Sequence, residues 1–413
     1  MDDLEFERFD LPDRCMPNTD KGTKMDRRNF LKYSTLASGA LVVSGCAGGN
    51  WRTQQAGQDT QAGNPFAPWD ALETAKPHDA AVLPAAAILA ANPHNTQPWT
   101  MAVTQARFQV SADTRRHLGA FDPYRREMWI GLGAAIANAE IAGAAYGHRT
   151  GRPTLSRLDR NGSGTITLTL DKMDPVEHPL APSIRTRRTN RAPYEDRAVT
   201  TDALALVSAL VGDIQGAGFK TFDRDTDQGK AFAQATLKAT QAINADHEMS
   251  NDAHLWFRGN ARAVAKHRDG VSIPTAGLAP VVSLIGQLFT ENDAQKSGAH
   301  WFRSTQRQAA RAGGFGVITV NDLYNRHQQI AAGRLWQRLH LAFTAMGIAA
   351  QPMNQLPELV DRDRFLGVDR GWSDRLRAIS GPGGRATLAF RFGYPTRTVP
   401  HSARRPLDRV LLG

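Results

Sequence analysis

The residues with the most chemistry to offer fall into four short segments. Arg185, Arg187, Arg188 and Arg191 set four guanidinium groups within seven residues, with Thr189 and Asn190 among them. Guanidinium groups bind phosphate through paired donors, which makes the cluster a candidate anion site, although a solvated basic turn has the same composition. Asn92-Pro93-His94-Asn95-Thr96-Gln97-Pro98-Trp99 places three amide side chains ahead of an aromatic residue. Amides donate and accept at once, as a ligand edge of alternating C=O and N-H requires, yet taken alone this is equally a plain turn before a buried Trp. Met353-Asn354-Gln355 and the pair Arg404-Arg405 near the chain end complete the set.

Other chemistries lack an anchor. No H-E-x-x-H, G-x-S-x-G or P-loop occurs, which removes the usual protease, hydrolase and nucleotidase signatures. Gly131-Leu132-Gly133-Ala134-Ala135-Ile136 half-resembles a dinucleotide fingerprint but lacks the third Gly and follows a charged stretch rather than a buried strand. The two cysteines, Cys15 and Cys46, leave a mature domain without disulfide, Cys-ligated metal or Cys nucleophile, and no metal is expected. The formal charge of +10 is scattered rather than gathered in a block interleaved with aromatics, so nucleic acid is not an expected partner.

The first fifty residues read as targeting. Arg27-Arg28-Asn29-Phe30-Leu31-Lys32, the apolar stretch to Gly45 and then Cys46 resemble a twin-arginine export signal. That stretch is shorter than the ~20 apolar residues a spanning helix needs, so a removable segment fits better than an anchor. Val43-Ser44-Gly45-Cys46 resembles a lipobox, with Cys46 as the lipidation site and an ordinary cleavage site as the alternative. Residues 1–24 hold seven acids against four bases and are expected to be a disordered extension or a misplaced start, 25–46 the signal and 47–68 a linker. The expectation is a periplasmic or cell-envelope lipoprotein, anchored to a membrane surface by lipid.

The elements that must position the four segments are legible by periodicity. A helix is expected from about Asp79 to Ala91, and a hairpin in which Trp99, Met101 and Val103 are answered by Phe108 and Val110. Asp122-Pro123 reads as N-cap and first position of an Ala/Gly-rich helix running through Met128 to Tyr146 and stopped by Gly147. Asn161-Gly162 turns the chain into a strand over Thr165–Leu170. Beyond Pro182 the rhythm repeats: helix 202–210, strand 219–222, helix 229–244, strand 315–320, an amphipathic helix with Leu335, Leu339 and Ala342 on one stripe that ends at Gly347, and strands 348–353 and 386–392. Residues 254–301 resist assignment and read as a lid or insertion. Trp336, Phe343, Met346 and His340 read as core.

Taken in order, the four segments resemble the nitroreductase superfamily, and specifically its Acg-like branch. Ala91 to Trp99 is similar to the family's Pro-Ser-x-x-Asn-x-Gln-Pro-Trp, and Arg187-Arg188-Thr189-Asn190-Arg191 to its Arg-x-Ser-x-Arg/Lys. The Gly333–Gly347 helix leading into Gln355 and the closing Arg404-Arg405 match its last helix and terminal basic pair. The resemblance implies an α/β (α+β) fold with a central mixed sheet flanked by helices, over residues 69–413. It also implies one chain imitating a family dimer, with halves of about 69–180 and 181–413. The implied cofactor is FMN, held by Asn92, Pro93, Asn95, Gln97, Arg187, Arg188, Thr189, Arg191, Met353, Asn354, Gln355, Arg404 and Arg405. No side chain is expected to be catalytic, since flavin N5 carries the chemistry. The implied activity passes electrons from NAD(P)H, a quinol or a protein to a small nitro, quinone or similar acceptor. A protein that only stores FMN, or a basic structural lipoprotein, are the alternatives.

Overall fold

The computed structural model describes residues 63–277 and 294–412; the Arg27-Arg28 motif, Cys46 and most of the linker lie outside the described residues. The fold is α+β, with helices packed on two main sheets whose four-strand paths share one order; the short strand Thr154–Leu155 adds to the first, and a parallel pair, Phe257–Arg258 with Val271–Ser272, stands apart.

In the first half, α1 (Val82–Ala87) precedes strands β1 (Trp99–Val103) and β2 (Arg107–Ala112). These form the expected hairpin, Trp99 opposite Ala112 and Val103 opposite Phe108. Its alternation decides which face is buried: Trp99, Met101, Phe108 and Val110 point into the core. Helix α2 (Arg126–Ala145) follows, then β3 (His148–Thr150) and β4 (Thr165–Lys172), with Gly162 at a positive φ in the turn before β4. The strands lie in the order β1-β2-β4-β3.

Two expectations need correcting here. Helix α1 is shorter than the Asp79–Ala91 periodicity suggests, because the carbonyls of Ile88, Leu89 and Ala90 accept arginine donors instead of continuing the helix. Asp122 caps α2 from further away than an N-cap: its carboxylate accepts the backbone N–H of Glu127 (3.1 Å) and Met128 (2.9 Å), while left-handed Arg125 enters the helix.

The second half runs α3 (Thr201–Val211), β5 (Gly218–Asp223), α4 (Asp227–Ala245), α5 (His247–Leu255), α6 (Ala261–His267), α7 (Ala294–Ala310), β6 (Gly314–Val320), α8 (Arg326–Ala345) and β7 (Ala349–Pro352). Helices α9 (Gln355–Leu366) and α10 (Trp372–Ser380), which the sequence reading did not find, come before β8 (Arg385–Gly393). The sheet order is β5-β6-β8-β7, the order of the first half repeated. Ladders within both sheets are antiparallel, and single parallel bridges, Met101–Leu411 and Thr189–Ala350, add to their edges.

The halves meet where α2 packs on α8. Both helices span 20 residues, begin with arginine and are followed by a glycine at positive φ, Gly147 and Gly347. Their contact is reciprocal: a Cβ on Gly133 would overlap the Ile330 carbonyl, and one on Gly333 would overlap that of Ile130. Only glycine lets the backbones approach so closely. Helix α2 is buried on every side from Arg126 to Ala139, which is why small residues rather than an amphipathic stripe compose it. On the other face of α8, Trp336 meets Phe390 at 5.1 Å and Phe343 stacks on Phe392 at 5.2 Å, tying the helix to the second sheet. His340 is core, as its position on this helix suggests.

Candidate functional site

Residues 88–98 join α1 to β1 in an unusual conformation. His94 (φ 45°), Asn95 (φ 57°) and Gln97 (φ 51°) all adopt the left-handed region that non-glycine residues seldom occupy. Backbone strain of this kind persists only where its surroundings enforce it, and it gathers at ligand clamps. The enforcement is visible. Asn92 Oδ1 accepts the Gln97 N–H at 2.7 Å, and Asn95 Nδ2 donates to the carbonyls of Gly270 (3.2 Å) and Ala403 (3.0 Å). Gln97 Nε2 donates to the Arg268 carbonyl (2.7 Å), while its Oε1 accepts the Arg405 N–H (2.8 Å).

The side chains of Asn95 and Gln97 are thus engaged within the protein and shape the loop. Asn92 and Pro93 lie on α2 where Gly131 has no side chain: a Cβ there would sit 3.0 Å from Pro93 Cδ. The stretch 254–277, unassigned from sequence, supplies part of the loop's support. It is fastened in turn by Asp269, which pairs with Arg116 and with Arg258 (2.6 Å).

The arginine segment crosses behind this loop. Arg187, 2% exposed, donates from Nη2 to the Leu89 carbonyl at 2.9 Å, and its Nε has no partner. Burial, with a smaller push from Arg188, lowers its pKa to about 9. Arg191 donates to the Thr275 carbonyl (3.2 Å) and is lowered by burial to about 10. Thr189 forms the bridge with Ala350 of β7, and the Arg188 carbonyl meets His340 Nε2 at 3.1 Å, so the segment is fixed against both α8 and the second sheet. Arg188 itself donates from Nη1 to the Thr186 carbonyl (2.8 Å).

The closing pair serves the same loop. Arg404 is buried, donates to the Ile88 carbonyl (2.7 Å) and to Asn95 Oδ1 (2.7 Å), and burial depresses its pKa strongly. It stacks with Arg187 around Trp69, their guanidinium carbons 4.7 and 5.8 Å from the ring centroid. Arg405 donates to the carbonyls of Gln97 (3.3 Å) and Arg409 (2.8 Å). Arg187 and Arg404 satisfy carbonyls left over at the end of α1, which the negative helix terminus favours.

Met353, Asn354 and Gln355 follow β7 and reach the first turn of α2. Met353 is buried, its N–H bonded to the Ala389 carbonyl at 2.8 Å. Asn354 donates to Glu127 and accepts the Ala389 N–H (3.0 Å), whereas the buried Oε1 of Gln355 has no partner. The first and fourth segments therefore bond directly, the second meets them at Leu89 and across the Trp69 ring shared with Arg404, and the third joins them through α2 and the β7 edge.

Sequence reasoning passed over several groups here. Arg391 of β8 is buried, donating to Gln351 Oε1 (2.8 Å) and the Ala192 carbonyl (2.8 Å) with its guanidinium 3.9 Å from the Tyr194 ring centroid. An arginine inside a strand of Ala, Leu and Phe is itself a signal. His94 is half-buried with its Nδ1 covered and unpartnered, and desolvation together with Arg191 lowers its pKa to about 4, keeping it neutral. Among the described residues, none of Arg187, Arg191, Arg391 and Arg404 forms an ion pair with a carboxylate.

No protein-family model matches the chain, and no curated protein matches it. Among solved structures it is similar to the FMN-dependent nitroreductase NfnB from Mycobacterium smegmatis in complex with NADPH, at 17% identity over 56% of this chain and 96% of that one, with a TM-score of 0.37. It is also similar to a putative nitroreductase in complex with FMN from Desulfovibrio desulfuricans (16% identity, 58% and 98% covered, TM-score 0.31). A nitroreductase with bound FMN from Desulfitobacterium hafniense is a third (13%, 57% and 98%, TM-score 0.35).

Proposed function

We propose that the chain binds FMN between the Asn92–Gln97 loop and the Arg187–Arg191 segment and is an FMN-dependent oxidoreductase of the nitroreductase type. The observation that carries this reading is a charge imbalance: Arg187, Arg391 and Arg404 are buried, half-buried Arg191 lies beside Arg391, and none has a carboxylate partner among the described residues. Uncompensated buried charge is unfavourable by several kcal/mol per ion, and a ligand with a phosphate dianion and a ring that turns anionic on reduction offsets it. Bound FMN supplies hydride acceptance at N5 and electron transfer to a nitro, quinone or similar acceptor.

This chain's residues do the holding. Arg187, with its free Nε, and Arg191 are the groups placed to meet an anionic ligand. Arg404 and Arg405, whose donors are engaged with carbonyls of the loop, position it rather than bind phosphate. Asn92, Pro93, Asn95 and Gln97 offer the ligand a fixed backbone, and Thr189 fixes the arginine segment to β7. The two sheets of matching order support a chain that carries both halves of a dimer-like interface.

Export by the twin-arginine route and lipid at Cys46 rest on the sequence motif, and they would bring a membrane quinol or partner protein within reach as donor where a nicotinamide is scarce. Replacing Arg27 and Arg28 by lysine together should then hold the precursor in the cytoplasm on fractionation. The test of the site is the purified protein itself: it should show flavin absorbance or take up FMN one to one. The bound flavin should be reduced by a nicotinamide or quinol and reoxidised by a nitroaromatic or quinone. Colourless protein that does not bind FMN overturns the site, and bound flavin that no such pair cycles overturns the enzyme in favour of a store.

A further inference from the structure

Beside the crossing of α2 and α8 lies a cavity of about 560 Å3, bordered by the segment 212–217 before β5, the residues after β3 and the first turns of α8. The link 212–217 has six residues where 88–98, which lays Asn92 and Pro93 against Gly131 of α2, has eleven.

The cavity lining has a definite chemistry. Arg334 is held by Glu140 in a two-pronged pair, Nη2–Oε1 2.9 Å and Nε–Oε2 3.1 Å, which settles both charges. Arg338 donates from Nε to the Val211 carbonyl at 2.7 Å, and its two Nη groups have no hydrogen bond among the described residues. Arg152 and His327 stand at the rim, with Asp213. Arg152, Arg334 and Arg338 against Glu140 and Asp213 leave one positive charge in excess. The rest of the wall sets the polar Thr150, Thr154 and Gln215 beside an apolar strip of Leu155, Ile214, Ile330 and Ala331.

We propose that this cavity, between the segment 212–217 and α8, binds a small organic carboxylate, its anionic group on Arg338 and its apolar body against Ile214 and Ile330. A single excess charge beside an apolar strip suits a monoanion better than a dianion or a neutral molecule, and the volume lies in the range of small-molecule sites. The proposal stands independently of the flavin reading, since it shares no residue with that site.

Titration calorimetry on the full chain tests it with three probes of one body: benzoate, phenyl phosphate and benzyl alcohol. Benzoate should bind one per chain, at least tenfold tighter than the other two. Arg338→Gln, which keeps a donor for the Val211 carbonyl, should weaken benzoate tenfold or more while circular dichroism stays unchanged. Saturating FMN should leave benzoate binding as it was. Failure of benzoate to saturate, equal binding of benzyl alcohol, tighter binding of phenyl phosphate, indifference to Arg338→Gln or displacement by FMN would each overturn the assignment. If Arg338→Gln misfolds, Arg152→Gln and the salt dependence of benzoate binding carry the same decision: unchanged affinity in both overturns it.

Discussion

Two charged regions of the interior solve the same problem differently. In one, Asp122, Glu127, Glu358 and Asp361 gather around Arg126 at the start of α2; in the other, half-buried Arg191 joins buried Arg187, Arg391 and Arg404. In the carboxyl region Arg126 pairs with Asp361 at 2.7 Å, and Tyr324 donates to the same carboxylate at 3.0 Å. Burial and mutual repulsion push the remaining acids upward, Glu127 to about 7 and Glu358 well above the usual range, with a hydrogen bond between the two. Protons from water neutralise part of that excess, and Asp122, raised to about 6, is held by two backbone N–H groups of α2. Guanidinium groups have no such exit, because even the lowered pKa of Arg187 leaves it charged at neutral pH. The carboxyl region is therefore complete in itself and structural. On the reading proposed above, the arginine region takes an anionic ligand to balance it, whereas the carboxyl region needs none.

The largest expected effect falls on the self-sufficient side. Arg126→Ala strands Asp361 as a buried carboxylate, and removing one partner of a buried pair typically costs about 3–5 kcal/mol. Denaturant unfolding should show that loss with FMN present or absent. A change below about 1 kcal/mol would mean the carboxyl region does not depend on its single buried arginine.

Arg187→Met should behave in the opposite way. It removes an uncompensated cation, so the protein without FMN should keep or raise its thermal midpoint, while FMN affinity drops roughly tenfold to a hundredfold, about 1.4–2.8 kcal/mol. The reduction potential should fall as well, since a positive charge beside the ring favours the anionic reduced form. Flavin titration and a dye-referenced potential separate these effects; unchanged affinity in folded protein would return the arginines to a purely structural role.

The carboxyl region also predicts a pH dependence. The folded-state pKa of Glu127 lies above its unfolded value, so the folded protein holds more protons between about pH 4.5 and about 7. The stabilisation from its proton is fully present below that window and is lost as the pH rises through it, amounting to a few kcal/mol at most. Glu127→Gln should flatten the slope, because a neutral amide replaces the protonated acid. The charged groups facing it are Asp122, Arg126, Glu358 and Asp361, so Glu358→Gln should flatten it in part. An equal slope in wild type and Glu127→Gln from pH 5 to 7 would assign the titration elsewhere.

How much of this was legible depended on range. The hairpin from Trp99 and the helices α2 and α8 follow from local alternation, Ala/Gly content and Gly147 and Gly347 as stops. Helix α9 escaped because Pro357 sits near its start and Asp361, Arg362 and Asp363 interrupt any apolar stripe, although those charges turn out buried. Asn92–Gln97 and Arg187–Arg191 stood out as compact motifs, yet the engagement of Asn95 with Ala403 and Arg404 requires knowing that the chain end returns to the loop. The carboxyl region was invisible for the same reason: Glu127 and Glu358 are polar positions in two separate helices until packing brings them together.

The smallest expected effect concerns the backbone that presents the arginine side. Its loop carries His94, Asn95 and Gln97 at positive φ, with Arg268 bonded to it in the same conformation, whereas the carboxyl side has only Arg125. Asparagine accepts the left-handed region readily and a β-branched residue does not. His94→Asn should therefore change stability by no more than about 1 kcal/mol, and His94→Val should lower it by about 1–3 kcal/mol. Both remove the same half-buried imidazole, so the difference between them isolates conformation from packing and from the neutral His94 ring. If the loop presents its backbone to FMN, the valine variant should also lose affinity several-fold while the asparagine variant retains it. Equal affinities in the two variants, measured by flavin titration, would mean that the strained conformation serves the fold alone and that the arginines act without it.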